Sequence, residues 1–471
     1  MTKKTKIVAT IGPATESRQM LERLLEAGVN AIRLNFSHGD FAQYQHIVDR
    51  ARKAMERTGR TAAILQDLSG PKIRIGDFKT ESIMLREGQT FTLTTEDIVG
   101  DESRVHVNYP LLPKEVKKGH IIFLHDGKKK LQVARVSGND IVTAVLIGGE
   151  IKGRRGVNLP DSDISIGALT EKDKADLKFG ITNKVDYMVL SFVRKPSDVI
   201  ELRTILKKKK ADVGIIAKIE TPQAIVHIDE IIRLSDGIMI ARGDLAIEVP
   251  FEKVPEYQKM IIAKCNAAGK PVITATQMLE SMIKSPVATR AEVSDVANAI
   301  LDGTDAVMLS EETTLGQFPV QAVEVMSRIA RQVEKNYPER PMIRIKAEGA
   351  MPIANSVTGS VVKTSHDVGA KVIVALTDSG FTARMVSRHR PQANILALSP
   401  FEKTSRRLSI CFGCMPVTVP MYESLEDVFK IVREFCLKKK LADKGDKVVI
   451  AAGVPFGSKG LSTNMLAVHV I

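Results

Sequence analysis

The chain reads as an α/β protein: a (β/α)8 TIM barrel with an inserted small antiparallel β-barrel lid and a C-terminal open α/β domain. Three observations predict this. Eight short runs rich in Val and Ile alternate with charge-bearing helical stretches, one gap between runs is several times longer than the rest, and the pattern changes after the eighth run.

The eight runs are KIVATIG (6–12), AIRLNFS (31–37), AAILQDL (62–68), YMVLSFV (187–193), GIIAKIE (214–220), GIMIARGD (237–244), PVITATQM (271–278) and AVMLSEET (306–313). Continuous apolar runs of this length fit parallel strands buried on both faces, and their alternation with helices fits βα units. Eight such units close a barrel. About 120 residues separate Leu68 from Tyr187. Within that gap, FTLTTEDIV (91–99) and the segment 121–149 alternate apolar and polar residues between turn signals, the pattern of a small antiparallel β domain. A lid over the barrel mouth is the natural inference. After the eighth run, a helical segment (about 319–336) leads into the charged stretch YPERPMIRIKAEG (337–349). Then KVIVALTDSG (371–380), NILALSP (394–400), CMPVTVP (414–420) and DKVVIAAG (446–453) alternate with helical segments, as in an open α/β domain. The expected partition is barrel 1–70 and 167–345, lid 71–166, and C-terminal domain 346–471.

Composition narrows the function classes. At 471 residues the chain exceeds what one core supports, and its mean hydropathy of −0.02 marks a globular protein. No apolar stretch approaches the ~20 residues of a membrane span. Thr10, Gly12 and Pro13 interrupt the first apolar run, so no signal peptide is expected and the protein is assigned to the cytoplasm. Four scattered cysteines make no disulfide framework. Cys411 and Cys414 form a CxxC, but no second pair or histidine cluster accompanies it as a structural zinc site requires. A net charge of +13 suits phosphorylated substrates. The lysine runs 207–210 and 438–440 close amphipathic helical stretches, where cations complement the helix dipole, and no aromatic residues are interleaved for base stacking. Neither nucleic acid nor membrane is expected as a partner.

In a barrel, chemistry sits at the C-terminal ends of the strands. Arg33, Asn35 and Ser37 end the second run, Asp67 the third, Lys218 and Glu220 the fifth, Asp244 the sixth, and Thr276 and Ser310 the seventh and eighth. Residues i and i+2 of a strand share a face, so the Lys218 ammonium and the Glu220 carboxylate point the same way, and a divalent metal would join Glu220 to Asp244. The alternative is a structural ion pair of Lys218 with Glu220 or Asp244. The stretch TQMLESM after Thr276 is expected to begin a helix whose amides hold an anion.

RLNFSHG (33–39), KIE (218–220), MIARGDLAIE (239–248), GKPVITATQMLESM (269–282) and TRAEVSDVANAILDGTDAVMLSEET (289–313) resemble the pyruvate kinases, in register from about Thr5 to the C-terminus. The resemblance implies a barrel, a lid inserted after its third strand and an effector domain. It also implies transfer of the phosphoryl group of phosphoenolpyruvate to ADP, followed by protonation of the enolate. It assigns Mg2+ (or Mn2+) to Glu220 and Asp244, phosphoryl neutralisation to Lys218 and phosphate grip to Arg33. The substrate carboxylate falls to Gly243, Asp244 and Thr276, and help with proton delivery to Ser310 and Thr276. Nucleotide contacts carry over to Asn35, His38, Arg74 and Arg155, and a homotetramer is implied. Many members have a glutamate where this chain has Lys72, and hold potassium with the equivalents of Asn35, Ser37, Asp67 and the Leu68 carbonyl. Here the Lys72 ammonium is expected to replace that ion, so K+ is not required. Ala246, Glu311, Arg155 and the His125-Asp126 pair are milder departures. Thr377, Ser379, Gly380 and Thr382 resemble the family's sugar-phosphate effector site, with AMP as another candidate effector, and the loop GVPFGSKG (453–460) is expected to close over it. The competing readings are another metal-dependent barrel enzyme of phosphoenolpyruvate or pyruvate, such as a lyase, and a non-catalytic regulatory paralogue or basic RNA-binding scaffold.

Overall fold

A computed structural model describes residues 3–37, 39–337, 352–456 and 462–471. His38, the expected boundary at 345/346 and residues 457–460 of the late loop lie outside the described residues. All eight apolar runs are strands: Lys6–Thr10, Ala31–Asn35, Ala63–Asp67, Tyr187–Leu190, Gly214–Ile219, Gly237–Ala241, Val272–Ala275 and Ala306–Leu309. They pair in parallel, in sequence order, and the first closes on the eighth.

Alternation along each strand sorts side chains into two layers. Ile215, Ala217 and Ile219 face outward into the layer packed against the helices. Val8, Ala31, Ala63, Leu65, Val189, Ile216, Met239, Ile273, Ala306 and Met308 face the barrel axis, and their cluster continues into the C-terminal domain. The lid has its own core, from Ile73 to Leu159. Its strands Thr90–Thr94, Arg104–His106, Ile121–Leu124, Lys129–Ser137, Asp140–Ile147 and Val157–Asn158 form one sheet, and Ser82–Leu85 pairs with Gly149–Lys152. Both long lysine runs lie at helix ends as expected, spanning the C-termini of Pro196–Lys208 and Leu425–Lys438. Among the described residues no helix is long and apolar enough to cross a membrane.

The C-terminal sheet contains the four expected parallel strands, Val372–Leu376, Asn394–Ser399, Cys414–Thr418 and Lys447–Ala452. A fifth strand, Met465–Val470, runs antiparallel on its edge. This domain seats on the N-terminal end of the barrel through charged latches. Asp305, just before the eighth strand, takes Arg390 in a fork at 3.0 and 2.9 Å, and Asp186, just before the fourth, takes Arg406 at 2.9 Å. The two-point charge-assisted pair at Asp305 fixes orientation as well as distance.

His389, buried beside this latch, carries a pH dependence. Burial, then Arg388 and Arg390, push its pKa from 6.5 down to about 4. Between these values the unfolded chain binds a proton that the folded chain excludes, so stability falls as pH drops through the window, by up to about 3 kcal/mol. Urea unfolding between pH 7 and 4.5 is expected to show this slope, and His389→Gln to lose it. Equal slopes in both proteins would rule the assignment out.

Candidate active site

The alternation that fills the barrel axis with Val, Leu and Met also places its polar lip. Thr10 follows Val8, Arg33 follows Ala31, Asp67 follows Leu65, Ser191 follows Val189, Lys218 follows Ile216 and Ser310 follows Met308, each two residues on and so on the same inward face. These side chains converge in the way a strand-end site requires. Arg33 Nε donates to Asp67 Oδ2 at 2.6 Å and its Nη1 to Thr10 Oγ1 at 2.9 Å. Lys218 Nζ lies 2.7 Å from Glu220 Oε1, 3.0 Å from Ser191 Oγ and 3.8 Å from Asp67 Oδ1. Ser191 Oγ in turn donates to the Leu68 carbonyl at 2.7 Å.

The electrostatics follow from burial and these partners. Burial alone would lower the Lys218 pKa, but Asp67, Glu220 and Asp244 outweigh it and hold the ammonium above its ordinary range. Burial would raise Asp67, but Lys218 and Arg33, with hydrogen bonds from Arg33 and Ser191, hold it below its usual range. Glu220 behaves differently: burial first, reinforced by Asp244, outweighs the attraction of Lys218 and pushes it up to about 7. The protein's own cations therefore leave Glu220 undercompensated. Glu220 Oε2 accepts the Phe192 amide at 2.7 Å, whereas the fully buried Oε1 has the Lys218 ammonium, at 2.7 Å, as its partner. A metal ion is the group that the Glu220 and Asp244 pair fits. Among the described residues no cluster of three or more His, Cys, Asp or Glu side chains converges, so two hard carboxylates are what the chain offers. That suits Mg2+, which keeps several waters and takes its remaining ligands from the substrate.

Asp244 lies in the first turn of the helix Arg242–Glu248, which starts directly after the sixth strand. Two contacts fix this turn. The Gly243 N–H donates to Thr276 Oγ1 at 2.7 Å, and Arg242 grips Asp295 with both Nη atoms at 2.7 Å while its Nη2 donates to the Thr276 carbonyl at 2.9 Å. Thr276 and Gln277 both adopt positive φ (72° and 53°), so the chain turns sharply here. No α-helix begins after Thr276; the segment makes a short 3-10 turn, Glu280–Ile283, and the next helix starts at Arg290, capped by Thr289. The expectation of an anion-holding helix start at TQMLESM is thereby corrected: left-handed backbone at two consecutive residues prevents it. The helix start that faces the site is the one carrying Gly243 and Asp244.

Three further residues escaped the sequence reading. Ser191 was legible, because it ends the fourth run on the inward face. Arg242 lay within a quoted motif without a role. Glu312, buried with its pKa raised mainly by burial, accepts the Ser310 amide at 2.7 Å and the Leu279 amide at 3.1 Å, tying the loops after the seventh and eighth strands together. No sequence signal separates it from a surface glutamate.

Gly70, in left-handed backbone (φ 64°) and packed against Ser191 and Phe192, starts the path to the lid; a Cβ here would meet both at 3.0 Å. Beyond it lies Lys72. Partial dehydration, then Lys218 and Arg74, lower its pKa, and Asp244 and Glu220 oppose this. Arg74 and Arg155 sit at the root of the lid on paired segments, with Arg74 bridged to Gly156 and the Ile75 N–H donating to the Arg155 carbonyl at 3.0 Å. Arg155 Nε is buried without a hydrogen-bond partner. Asn35 Oδ1 accepts the Ser37 amide at 3.3 Å at the end of the second strand. In the C-terminal domain, Thr377, Ser379, Gly380 and Thr382 gather at the turn between Leu376 and the helix Phe381–Ser387, with Gly380 at φ 82° and Thr382 Oγ1 2.9 Å from Thr463 Oγ1.

Comparison with known proteins agrees with this geometry. The family model of the pyruvate kinase barrel domain matches residues 2–323, and that of the pyruvate kinase alpha/beta domain matches residues 355–469. A pyruvate kinase of Geobacillus stearothermophilus is 45% identical over 475 residues, spanning 100% of this chain and 81% of the relative. One from Clostridium perfringens is 42% identical over 473 residues, spanning 99% and 100%. The crystal structure of a pyruvate kinase from Cryptosporidium parvum matches with a TM-score of 0.93 at 36% identity, covering 99% of this chain and 96% of that one.

Proposed function

Because the chain belongs to the pyruvate kinase family and converts phosphoenolpyruvate and ADP to pyruvate and ATP, we propose that the strand-end cleft around Lys218 is where that phosphoryl transfer takes place. The observation that carries this reading is the buried Lys218 ammonium, set between Asp67, Glu220 and Ser191 on the inward face of the barrel lip. Phosphoryl transfer asks a protein chiefly for positioning and charge neutralisation. Lys218 supplies a fixed positive charge where the phosphoryl group leaves and negative charge builds on the enolate oxygen. Arg33, oriented by Asp67 and Thr10, holds the phosphate. The substrate carboxylate takes the amides of Gly243 and Asp244 and the hydroxyl of Thr276, displacing the Gly243–Thr276 hydrogen bond. Thr276 and Ser310 help deliver the proton to carbon. Asn35, Arg74 and Arg155 contact the nucleotide, as does His38. Pyruvate formation that stops when ADP is withheld tests this reading; pyruvate release at the same rate without ADP would favour a lyase instead, a reading that the full-length similarity to pyruvate kinases does not favour.

Members of the family generally use Mg2+ and K+. We assign Mg2+ to Glu220 and Asp244, where it would neutralise phosphoryl oxygens. At the site formed by Asn35, Ser37, Asp67 and the Leu68 carbonyl, the Lys72 ammonium takes the place of potassium. Initial rates in tetramethylammonium buffer are expected to be unchanged by added K+, whereas Lys72→Glu becomes K+-dependent by roughly tenfold or more, a fraction of one charge contact in a cleft. Steep activation of the unmodified protein by K+ would refute this. The C-terminal turn at Thr377–Thr382 is proposed to bind a sugar phosphate or AMP, and the assembly to be a homotetramer. Rate titrations with those effectors and light scattering test both.

A further inference from the structure

At the opposite end of the barrel from Lys218, the CxxC Cys411-Phe412-Gly413-Cys414 has no part in the reaction described above. The helix Glu402–Leu408 ends just before it and the strand Cys414–Thr418 begins at its last residue. The turn is closed by Cys414 N–H donating to the Cys411 carbonyl at 3.3 Å, with Gly413 in left-handed backbone (φ 69°). This folds the two cysteines back on each other. Both are buried, and the neighbouring Cys414 thiol, followed by burial, holds Cys411 well above the usual thiol range. The turn is pinned to the base of the barrel. Phe412 N–H donates to Asp305 Oδ1 at 2.9 Å, Gly413 N–H to the Lys4 carbonyl at 3.0 Å, and the buried Lys6 ammonium to the Cys414 carbonyl at 2.6 Å. Arg390, forked onto the same Asp305, lies over the Phe412 ring at 4.7 Å.

We propose that Cys411 and Cys414 are a reversible dithiol–disulfide site, converted by a low-molecular-weight disulfide when this turn lifts from the barrel. A metal is a poorer occupant, since among the described residues no third His, Cys, Asp or Glu joins the pair. Seated, the thiols are shielded and disfavour the thiolate, the nucleophilic form. Lifted, they meet solvent, where burial no longer disfavours the thiolate. One cysteine thiolate attacks a sulfur of the oxidant, whose S–S bond breaks and releases one thiolate. The second cysteine's thiolate then displaces the other half and forms the Cys411–Cys414 bond. The cysteines lose two protons and two electrons, and the oxidant leaves as two thiols. The site thus reports the seating of the C-terminal domain on the barrel.

The test is incubation of the folded full chain with glutathione buffers of increasing oxidised fraction, then alkylation and peptide mapping. The expected result is loss of two of the four alkylatable thiols as a Cys411–Cys414 disulfide, restored by dithiothreitol, with Cys265 and Cys436 still reduced. Arg390→Lys, which weakens the fork on Asp305, is expected to speed disulfide formation on the order of tenfold, the scale of one charge-assisted hydrogen bond. Four free thiols throughout, or glutathione left on separate cysteines without an internal disulfide, would overturn the site. An unchanged rate in Arg390→Lys, with the protein folded, would overturn the gating by domain seating.

Discussion

Lys218→Met is expected to lower kcat for ATP formation by roughly a thousandfold or more, the scale seen when a preorganised electrostatic contact to developing charge is removed. Methionine keeps most of the side chain's length and its apolar stem, so the barrel axis stays filled above Ile216. The change removes the one cation among the described residues that lies within ion-pair distance of both Asp67 and Glu220. Breaking a buried pair from one side costs about 3–5 kcal/mol of stability. A melting curve must therefore accompany the rate. If Lys218 acts on charge that forms only during transfer, kcat and kcat/KM fall together and KM for phosphoenolpyruvate changes little. A folded Lys218→Met protein with near-normal kcat would show that the ammonium is a structural partner of Glu220, the alternative that the sequence left open.

Glu220→Gln is expected to abolish activity at ordinary Mg2+ and to weaken divalent-ion binding by more than about a hundredfold, since loss of a group that only supports a ligand costs 10–100-fold. Glutamine is the informative choice. Its carbonyl oxygen can still accept the Phe192 amide, which Glu220 Oε2 now holds at 2.7 Å, so the strained turn at Phe192 (φ 53°) keeps its anchor. What is lost is the negative charge. Raising Mg2+ is expected to restore part of the rate if Asp244 still offers one oxygen. Full activity at unchanged Mg2+ would remove Glu220 from the metal site.

The convergence of Arg33, Asp67 and Lys218 at the barrel lip was legible in the sequence, for a definite reason. A strand buried on both faces can carry a charge only where it emerges from the core, so Arg33, Asp67 and Lys218 stood out against their apolar runs. The same rule would have found Ser191. It could not find Glu312 or Arg242, whose roles depend on two loops meeting in space: Glu312 on the amides of Ser310 and Leu279, Arg242 on Asp295 and the Thr276 carbonyl. The helix expected after Thr276 failed because composition does not reveal two consecutive residues at positive φ. The edge strand Met465–Val470 was missed because its outward positions are partly exposed and its pattern is weaker than that of the four central strands. The latches between barrel and C-terminal domain, Arg390 on Asp305 and Arg406 on Asp186, join residues 85 and 220 positions apart and have no local signature.

The central claim is that Glu220 and Asp244 share one divalent ion. Equilibrium Mn2+ binding, followed by electron paramagnetic resonance on the full chain with Glu220→Gln and Asp244→Asn alongside, tests it most directly. One ion per chain, weakened in both variants, is the predicted result; an affinity unchanged by either substitution would contradict it.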